Sequence, residues 1–243
     1  MRIGGIIQAR LGSTRLPGKV LRQLGGMSVL ERVVSAARSS ASLDELVVAT
    51  TTLPADEAIV TECARLGVPC HRGPSEDVLT RFLGAMKDLK CDAIARFTAD
   101  CPLLDPELIR GTAAAWRAMP GLDYLSTCLT QRTLPRGLDV EIAAADTLRV
   151  ISDQAADHHR SHVTSFLYTH PERFRLAGLS FPPGQPELRL TLDTTDDWNL
   201  IEAVVAHFGP GHTPAREIVA WLLDHPEVAA LNAHVTQKPL ELA

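Results

Sequence analysis

Three cations and two glycines lie close together near the start of the chain. Residues 8 to 19 read QARLGSTRLPGK and follow the apolar run IGGII. Arginine can donate two parallel N–H groups to a phosphate, lysine adds a compact charge, and glycine lets backbone N–H groups approach an anion. The stretch therefore predicts a phosphate-binding loop after a first strand, with a solvated basic turn as the alternative. It matches neither GxxxxGK[ST] nor GxGxxG, two common phosphate-binding motifs.

Two aspartates are the other residues whose type and position indicate chemistry. Asp100 follows the apolar segment 92–97, and Asp193 follows the alternating segment ELRLTL at 187–192; both segments are predicted strands. Because Mg²⁺ binds through one or two carboxylates together with substrate phosphates, this pair beside a basic loop predicts a nucleotide–metal site. Asp100 has an alternative role as a helix cap or turn residue. For Asp196 and Asp197 the alternative role is to complement the dipole at the start of the next helix.

The elements that must position these residues alternate between strand and helix in the first half of the chain. Amphipathic helical patterns separate short apolar runs, and an Asp-Pro pair at 105–106 is typical of a helix start. The predicted strands are 2–8, 45–50, 68–71 and 92–97, and the predicted helices are 28–39, 55–66 and 76–89. This order predicts an α/β fold with a Rossmann-like, mostly parallel sheet and helices on both faces. Ligands bind beyond the carboxyl ends of the strands in such sheets.

The pattern changes after residue 120. Strand-like pieces at 137–143 and 174–180 flank a predicted helix at 155–168, and a further helix follows Asp193. We expect one domain over residues 1–243, with a nucleotide-binding part at about 1–120 and 187–225. A small lobe at about 121–186 would serve the second substrate and dimerisation.

Composition limits the classes of partner. The chain has 243 residues, a net charge of −5 and a pI near 6.0, which argues against a nucleic-acid or anionic-membrane partner. No apolar run approaches the roughly 20 residues of a membrane helix, and no signal peptide is recognisable, so we expect a cytoplasmic protein. The five cysteines form no CxxC pair, which indicates free thiols and no zinc site.

Several segments, taken together and in order, resemble a known enzyme superfamily. They are QARLGSTRLPGKVL at 8–21, VVATT at 47–51, RGPSEDVLTRF at 72–82, RFTADCPLLDPELI at 96–109, GLDVE at 137–141, HVTSFLY at 162–168 and LDTTDDW at 192–198. The chain resembles the cytidylyltransferases that activate acidic sugars, the CMP-sialate and CMP-Kdo synthetase superfamily. It is most similar to the SpsF-like branch of spore coat polysaccharide biosynthesis. The resemblance covers residues 2 to about 205.

This resemblance implies a Mg²⁺-dependent reaction in which CTP and an acceptor form a CMP-acceptor and pyrophosphate. It assigns catalysis to Lys19, Arg15 and Asp100, and the metal to Asp100 and Asp193. It assigns the nucleotide to Ala9, Arg10, Leu11, Gly12, Ser13, Arg15, Lys19, Arg72, Asp77, Arg81 and Thr98. It assigns the acceptor to Arg132, Arg136, Gly137, Asp139, Glu141 and His162. Family members are often dimers through the second lobe, and we expect a homodimer.

The acceptor is the part of the function that the motifs leave open. The family pattern usually has an acid just before the histidine of HVT, whereas this chain has Arg160-Ser161-His162. A basic cluster surrounds it, formed by Arg132, Arg136, His158, His159 and Arg160. It predicts a small anionic acceptor, either an acidic nine-carbon sugar or a phosphate or phosphonate carrying a carboxylate. A solvated basic face or a dimer contact is the alternative.

Three other functions are compatible with the same fold. The first is a nucleotidyltransferase that uses GTP, UTP or ATP. The second is a non-catalytic nucleotide-binding protein, which the presence of both Asp100 and Asp193 disfavours. The third is a glycosyltransferase, which would have no reason to place Arg15 and Lys19 against an intact triphosphate.

Overall fold

The computed structural model describes residues 1–129, 131–182 and 184–237. Its strands are β1 (Ile3–Gln8), β2 (Gln23–Leu24), β3 (Met27–Ser28), β4 (Glu45–Thr51), β5 (Cys70–Gly73), β6 (Ala93–Thr98), β7 (Tyr124–Ser126), β8 (Glu141–Ala144) and β9 (Leu176–Gly178). Its α-helices are α1 (Val29–Ser39), α2 (Glu57–Arg65), α3 (Val78–Met86), α4 (Pro106–Ala118), α5 (Ala145–Ser152), α6 (His158–Ser161), α7 (Ser165–Thr169), α8 (Thr195–Phe208), α9 (Ala215–Asp224) and α10 (Pro226–Ala229).

A seven-stranded sheet in the order β5-β4-β1-β6-β8-β7-β9 forms the centre. Strands β5, β4, β1 and β6 are parallel, and β8 pairs antiparallel with both β6 and β7. Hydrophobic cores lie on both faces. One core includes α1, α4 and α8, and the other includes α3, α5 and α7. This architecture confirms the predicted α/β fold.

The parallel strands read as continuous apolar runs because both of their faces are buried. In β1 the first five residues are buried, and only the terminal Gln8 is partly exposed. Side-chain caps begin the helices that cover the sheet. Ser28 accepts a hydrogen bond from the N–H of Glu31, and Asp105 accepts one from the N–H of Glu107. Local sequence signals therefore set where the layers start.

The chain direction places the site. From β1 the chain moves to β4 and β5 on one side, then crosses back to β6 on the other side of β1. Such a reversal opens a crevice at the carboxyl ends of the two diverging strands. In this sheet those strands are β1 and β6, whose last residues, Gln8 and Thr98, are register partners.

Two predicted elements differ from the structure. The segment 187–192 is not a strand; it has one isolated bridge, between Arg136 and Arg189, and its Leu192 N–H donates to the carbonyl of Asp100. Its alternation comes from three polar residues interspersed with leucines, and two of them, Arg189 and Thr191, do not face solvent. Arg189 is buried in ion pairs. The predicted helix 155–168 is two short helices, α6 and α7, interrupted where His162 leaves helical geometry at φ −111° and ψ 72°.

The segment predicted as a lobe, 121–186, contributes β7, β8 and β9 to the same sheet as the nucleotide-binding part. Among the described residues, no helix has the length and apolar character needed to cross a membrane.

Gly137, in the wall of the cleft, tests whether this position requires a glycine. Its φ is +103°, and a Cβ placed there would lie 2.5 Å from the backbone carbonyl of Leu190. We expect Gly137→Ala to lower the free energy of unfolding by roughly 2 kcal/mol or more, because it adds backbone strain and a clash. Thermal and denaturant unfolding measure this. Gly211→Ala is the matched control, since no atom lies within 4 Å of its Cβ position. Equal losses of unfolding free energy in Gly137→Ala and Gly211→Ala would contradict the view that positive φ and the contact with Leu190 require a glycine at position 137.

Candidate active site

A cleft of about 540 Å³ opens at the carboxyl edge of β1 and β6. The basic loop after β1, the Asp100 loop after β6 and the segment around Asp193 all contribute to its walls. Of the predicted site residues, those lining it are Ala9, Arg10, Gly12, Ser13, Arg15, Lys19, Arg81, Thr98, Asp100, Arg136, Gly137, Asp139, His162 and Asp193. The fold thus brings together residues that lie far apart in sequence.

Lys19 lies at the meeting point of these segments. Its Nζ donates to Asp100 Oδ2 at 2.7 Å, to Asp193 Oδ1 at 2.9 Å and to the carbonyl of Leu192 at 2.5 Å. Its side chain is 9% exposed. Burial alone lowers the pKa of Lys19, but Asp100 and Asp193 outweigh that effect and raise it above its ordinary value of 10.5. The ammonium is therefore charged at neutral pH and has both carboxylates within hydrogen-bond distance.

Asp193 is surrounded by cations. Besides Lys19, its carboxylate contacts Arg189 Nη2 at 2.6 Å and Arg15 Nη2 at 3.3 Å. Burial raises the pKa of Asp193, but Lys19, Arg189 and Arg15 together hold it below its ordinary value of 3.8. Asp193 is therefore ionised at neutral pH despite its partial burial.

Asp197 has a structural role and does not line the cleft. It is fully buried, accepts from Arg189 Nε at 2.8 Å, and forms a capping box with Thr194 at the start of α8. Asn232, close to the C-terminus, donates to Asp197 Oδ1 at 2.8 Å and to the carbonyl of Arg189 at 3.0 Å. The helix-start interpretation of the Asp196–Asp197 pair therefore accounts for Asp197.

Three predicted nucleotide-binding residues, Leu11, Arg72 and Asp77, lie outside the cleft lining. The backbone N–H of Leu11 donates to Asp56 Oδ1 at 2.7 Å, which anchors the basic loop to the turn before α2. Arg72 pairs with Glu57 at 2.5 Å, and its Nε donates to the carbonyl of Thr51 at 3.0 Å. In this arrangement Leu11 and Arg72 organise the loops behind the site. Their direct contact with a nucleotide stays a prediction.

Asp77 also has a structural partner. It caps α3 by accepting from the N–H of Thr80 at 2.9 Å, and it accepts from Arg160 Nε at 2.7 Å. Arg160 donates as well to the carbonyl of Ser152, at 2.9 Å. The pair ties α3 to the 121–186 segment and neutralises one cation of the predicted basic cluster.

The predicted acceptor-binding cations differ in their surroundings. Arg132 pairs with Asp139 at 2.6 Å, so the charge of its guanidinium is compensated. Arg136 lines the cleft and has no ion pair among the described residues. Burial, reinforced by the neighbouring charge of Arg132, lowers the pKa of Arg136. Arg136 is thus the cation of this pair that is available to an anionic ligand.

Glu141 is held in a buried network and does not line the cleft. It accepts from Arg96 Nη1 at 2.7 Å and from the Tyr124 hydroxyl at 2.9 Å, and it also accepts from the hydroxyl of Thr164. Arg96 in turn donates to Gln8 Oε1 at 3.1 and 3.2 Å. Gln8 and Arg96 line the cleft, and sequence reasoning assigned neither of them. Their positions next to the basic loop and the Asp100 motif were the available signal.

Comparisons with known proteins identify the family of the chain. A family model for cytidylyltransferases matches residues 5–205. The chain belongs to the cytidylyltransferase family. As a family member it is a nucleotidyltransferase, and the predicted resemblance is confirmed. The chain is 36% identical over 233 residues to the spore coat polysaccharide biosynthesis protein SpsF of Bacillus subtilis, covering 92% of this chain and 95% of SpsF. It is 37% identical over 241 residues to MJ1063 of Methanocaldococcus jannaschii, covering 98% and 97%.

Two solved structures share the fold of this chain. A cytidylyltransferase from Leptospira borgpetersenii superimposes with a TM-score of 0.90 at 26% identity, covering 98% of this chain and all of that one. A CMP:2-keto-3-deoxy-manno-octonic acid synthetase in complex with CTP has a TM-score of 0.66 at 17% identity, covering 85% and 99%. The similarity to the synthetase shows that it and this chain share a fold.

The contact of Lys19 with Asp193 predicts a measurable change in ionisation. We expect Lys19→Met to raise the pKa of Asp193, because Lys19 is the strongest of the three cations that lower it. Carboxyl-detected NMR titration measures this shift. The stability that Asp193 contributes is present above its unfolded-state pKa and is lost as pH falls through its lower folded-state pKa. In Lys19→Met that loss moves to higher pH. Arg15→Met is the control and should give a smaller shift; an unchanged Asp193 pKa in Lys19→Met would disprove the coupling.

Proposed function

We propose that this cytidylyltransferase transfers CMP from CTP to a small acidic acceptor and releases pyrophosphate. The observation that carries the proposal is the arrangement of Lys19 between Asp100 and Asp193, beside a basic loop, in a cleft large enough for a nucleotide. Arg10 and Arg15 line the same cleft, so the triphosphate would meet cations along its length. Most of the catalysis in such a transfer comes from positioning and from offsetting charge.

A magnesium ion fits the donors that the cleft offers. Asp100 and Asp193 carry hard oxygen ligands, and Mg²⁺ sites commonly combine one or two carboxylates with water and substrate phosphates. Both oxygens of Asp193 contact lysine or arginine side chains in this structure, so Asp193 would have to share an oxygen between these cations and the metal. Asp100 Oδ1 has no ion pair among the described residues and is contacted by the weakly donating Cys101 thiol at 3.8 Å, and the Asp100 side chain is 27% exposed, so a cation can reach it. The described residues hold no cluster of three or more potential protein ligands, so substrate and water would complete the shell. When bound, the ion would offset charge on the phosphates.

The reaction requires no nucleophile from the protein. The acceptor hydroxyl oxygen attacks the α-phosphorus and gives up its proton to solvent, the bond to the pyrophosphate oxygen breaks, and pyrophosphate leaves with the bonding electrons. Cys101 lines the cleft, but burial, followed by the charge of Asp100, raises the pKa of its thiol to about 12. The thiol therefore stays protonated at neutral pH and is unsuited to attack. Lys19 and Arg15 would instead hold the phosphates in line.

The charges near the second substrate favour an acid of low total charge. The charge of Arg132 is balanced by Asp139, and the charge of Arg160 by Asp77. Of the three arginines in the predicted basic cluster, Arg136 therefore has no ion pair among the described residues. One guanidinium suits one carboxylate. This supports an acidic sugar over a phosphate or phosphonate that also carries a carboxylate. The relative SpsF acts in spore coat polysaccharide biosynthesis, as its name states, which agrees with a sugar acceptor.

A release assay tests the proposal. Pyrophosphate is measured with CTP, UTP, GTP and ATP in the presence of Mg²⁺. The acceptors are 3-deoxy-manno-octulosonate, N-acetylneuraminate, phosphoglycolate and phosphonoacetate. We expect acceptor-dependent release with CTP at least about tenfold above the other nucleotides, a difference of about 1.4 kcal/mol. Equal rates with all four nucleotides would contradict the CTP assignment. Transfer of a sugar from a nucleotide sugar without pyrophosphate release would indicate a glycosyltransferase.

Asp100 tests the metal assignment. We expect Asp100→Asn to lower kcat by about 100-fold or more, because a neutral amide is a poor Mg²⁺ ligand and leaves phosphate charge less well offset. Rates titrated with Mg²⁺ should show a higher half-saturating concentration in the variant. Asp196→Asn is the matched control, since that aspartate lies outside the cleft and contacts His234. If the half-saturating Mg²⁺ concentration is the same in Asp100→Asn as in the wild-type chain, Asp100 is not a metal ligand.

A further inference from the structure

Gln8 lines the cleft with its amide oxygen bound and its amide nitrogen without a hydrogen-bond partner among the described residues. Its Oε1 accepts from Arg96 Nε at 3.2 Å and from Arg96 Nη2 at 3.1 Å. A guanidinium only donates hydrogen bonds, so the oxygen must face Arg96 and the amide orientation is settled by chemistry. Gln8 Nε2 has no hydrogen-bond partner among the described residues, although the side chain is half-buried and lines the cleft.

Arg96 is itself held in one position. Its Nη1 pairs with Glu141 at 2.7 Å, and the two side chains are only 15% and 14% exposed. Glu141 is fixed in turn by the hydroxyls of Tyr124 and Thr164. Because the cation and the carboxylate neutralise each other, the network presents no net charge to the cleft. What it presents is the neutral N–H₂ donor of Gln8, in a defined direction.

We propose that Gln8 is a specificity-determining residue whose Nε2 donates a hydrogen bond to an oxygen of the acidic acceptor. Glu141 then acts as a positioning residue, through Arg96, and not as a direct ligand of the acceptor. The inference rests on the proposed cytidylyl transfer and deepens it, because it identifies a neutral donor that complements the guanidinium of Arg136. The substrate class that fits this pair is a carboxylate-bearing sugar with hydroxyl or carbonyl oxygens.

The location of the network assigns Gln8 to the acceptor and not to the nucleotide. Its anchoring residues Tyr124, Glu141 and Thr164 all belong to the 121–186 segment. The basic loop that would bind the nucleotide begins one residue later, and its Ala9 N–H is bonded to the carbonyl of Ala49, on the other side of β1. The side chain of Gln8 instead contacts Arg96 of β6, which pairs with Glu141 of β8.

The Gln8→Glu variant isolates the proposed contact. The new side chain keeps an oxygen for Arg96 and replaces only the N–H₂ group with a second oxygen, which repels an anionic acceptor. Steady-state rates are measured with CTP against the four acceptors of the release assay. We expect the KM of the acceptor to rise about tenfold or more, because a hydrogen bond to a charged or polar oxygen is lost, while the KM of CTP changes less than about threefold. Gln23→Glu makes the same charge change at an exposed residue outside the cleft and should leave both constants unaltered.

Other outcomes would overturn the assignment. An unchanged acceptor KM, or a raised CTP KM with an unchanged acceptor KM, excludes the proposed contact. If Gln8→Glu unfolds at a lower temperature than the wild-type chain, Gln8→Met serves instead. It has a similar length and no donor, so it should also raise the acceptor KM, and a wild-type value would contradict the inference. A wild-type chain that releases no pyrophosphate from CTP with any of the four acids would disprove the proposed function, and with it the role of Gln8.

Discussion

The ammonium of Lys19 holds the active-site cleft together. It contacts two carboxylates that lie 81 and 174 positions further along the chain, and it is itself almost fully buried. A buried charge without partners costs several kcal/mol, so the buried position of Lys19 is stable only with Asp100 and Asp193 directed at it. The backbone before it contributes as well, because Gly18 adopts a left-handed φ of 68° just before Lys19. Loop conformation and site chemistry therefore depend on each other.

The chain beyond the family match reinforces this site. Asp193 is held by Arg189, Arg189 by Asp197, and Asp197 by Asn232, which lies 35 positions after it. Asn232 is 2% exposed; it gives the carbonyl of Arg189 a hydrogen-bond donor and adds a second donor, beside Arg189 Nε, to the carboxylate of Asp197. Gln237, which lines the cleft, also accepts from Arg189 at 2.9 Å. The C-terminal segment is thus part of the wall behind the carboxylates, although residues 206–237 lie outside the family model.

Local signals in the sequence predicted most strands and helix starts of the fold, and with them the residues that end at the cleft. They did not predict which of these residues pair with each other. The apolar runs of β1, β4 and β6 and the caps at Ser28 and Asp105 depend on neighbouring residues, so the strands and helix starts could be predicted. The strand expected at 187–192 could not be corrected in this way. Its alternation includes two polar residues that are buried, Arg189 and Thr191, and the ion-pair partners of Arg189 are known only from the folded structure. The break in the predicted helix 155–168 likewise lies at Ser161 and His162, which line the cleft.

Counting charges along the sequence overstated the positive charge available to the acceptor. The arginines at 132, 136 and 160 read as one basic cluster, but the fold pairs Arg132 with Asp139 and Arg160 with Asp77, the latter from 83 positions away. Only the folded chain distinguishes a cation that supports the scaffold from one that faces a ligand. Because the compensated arginines still orient their partners, removing either one would disturb the cleft without removing an acceptor contact. Discrimination among acids would then depend less on total charge than on the direction of a few donors, and a donor fixed through a neutral, buried network loses little entropy when the substrate binds.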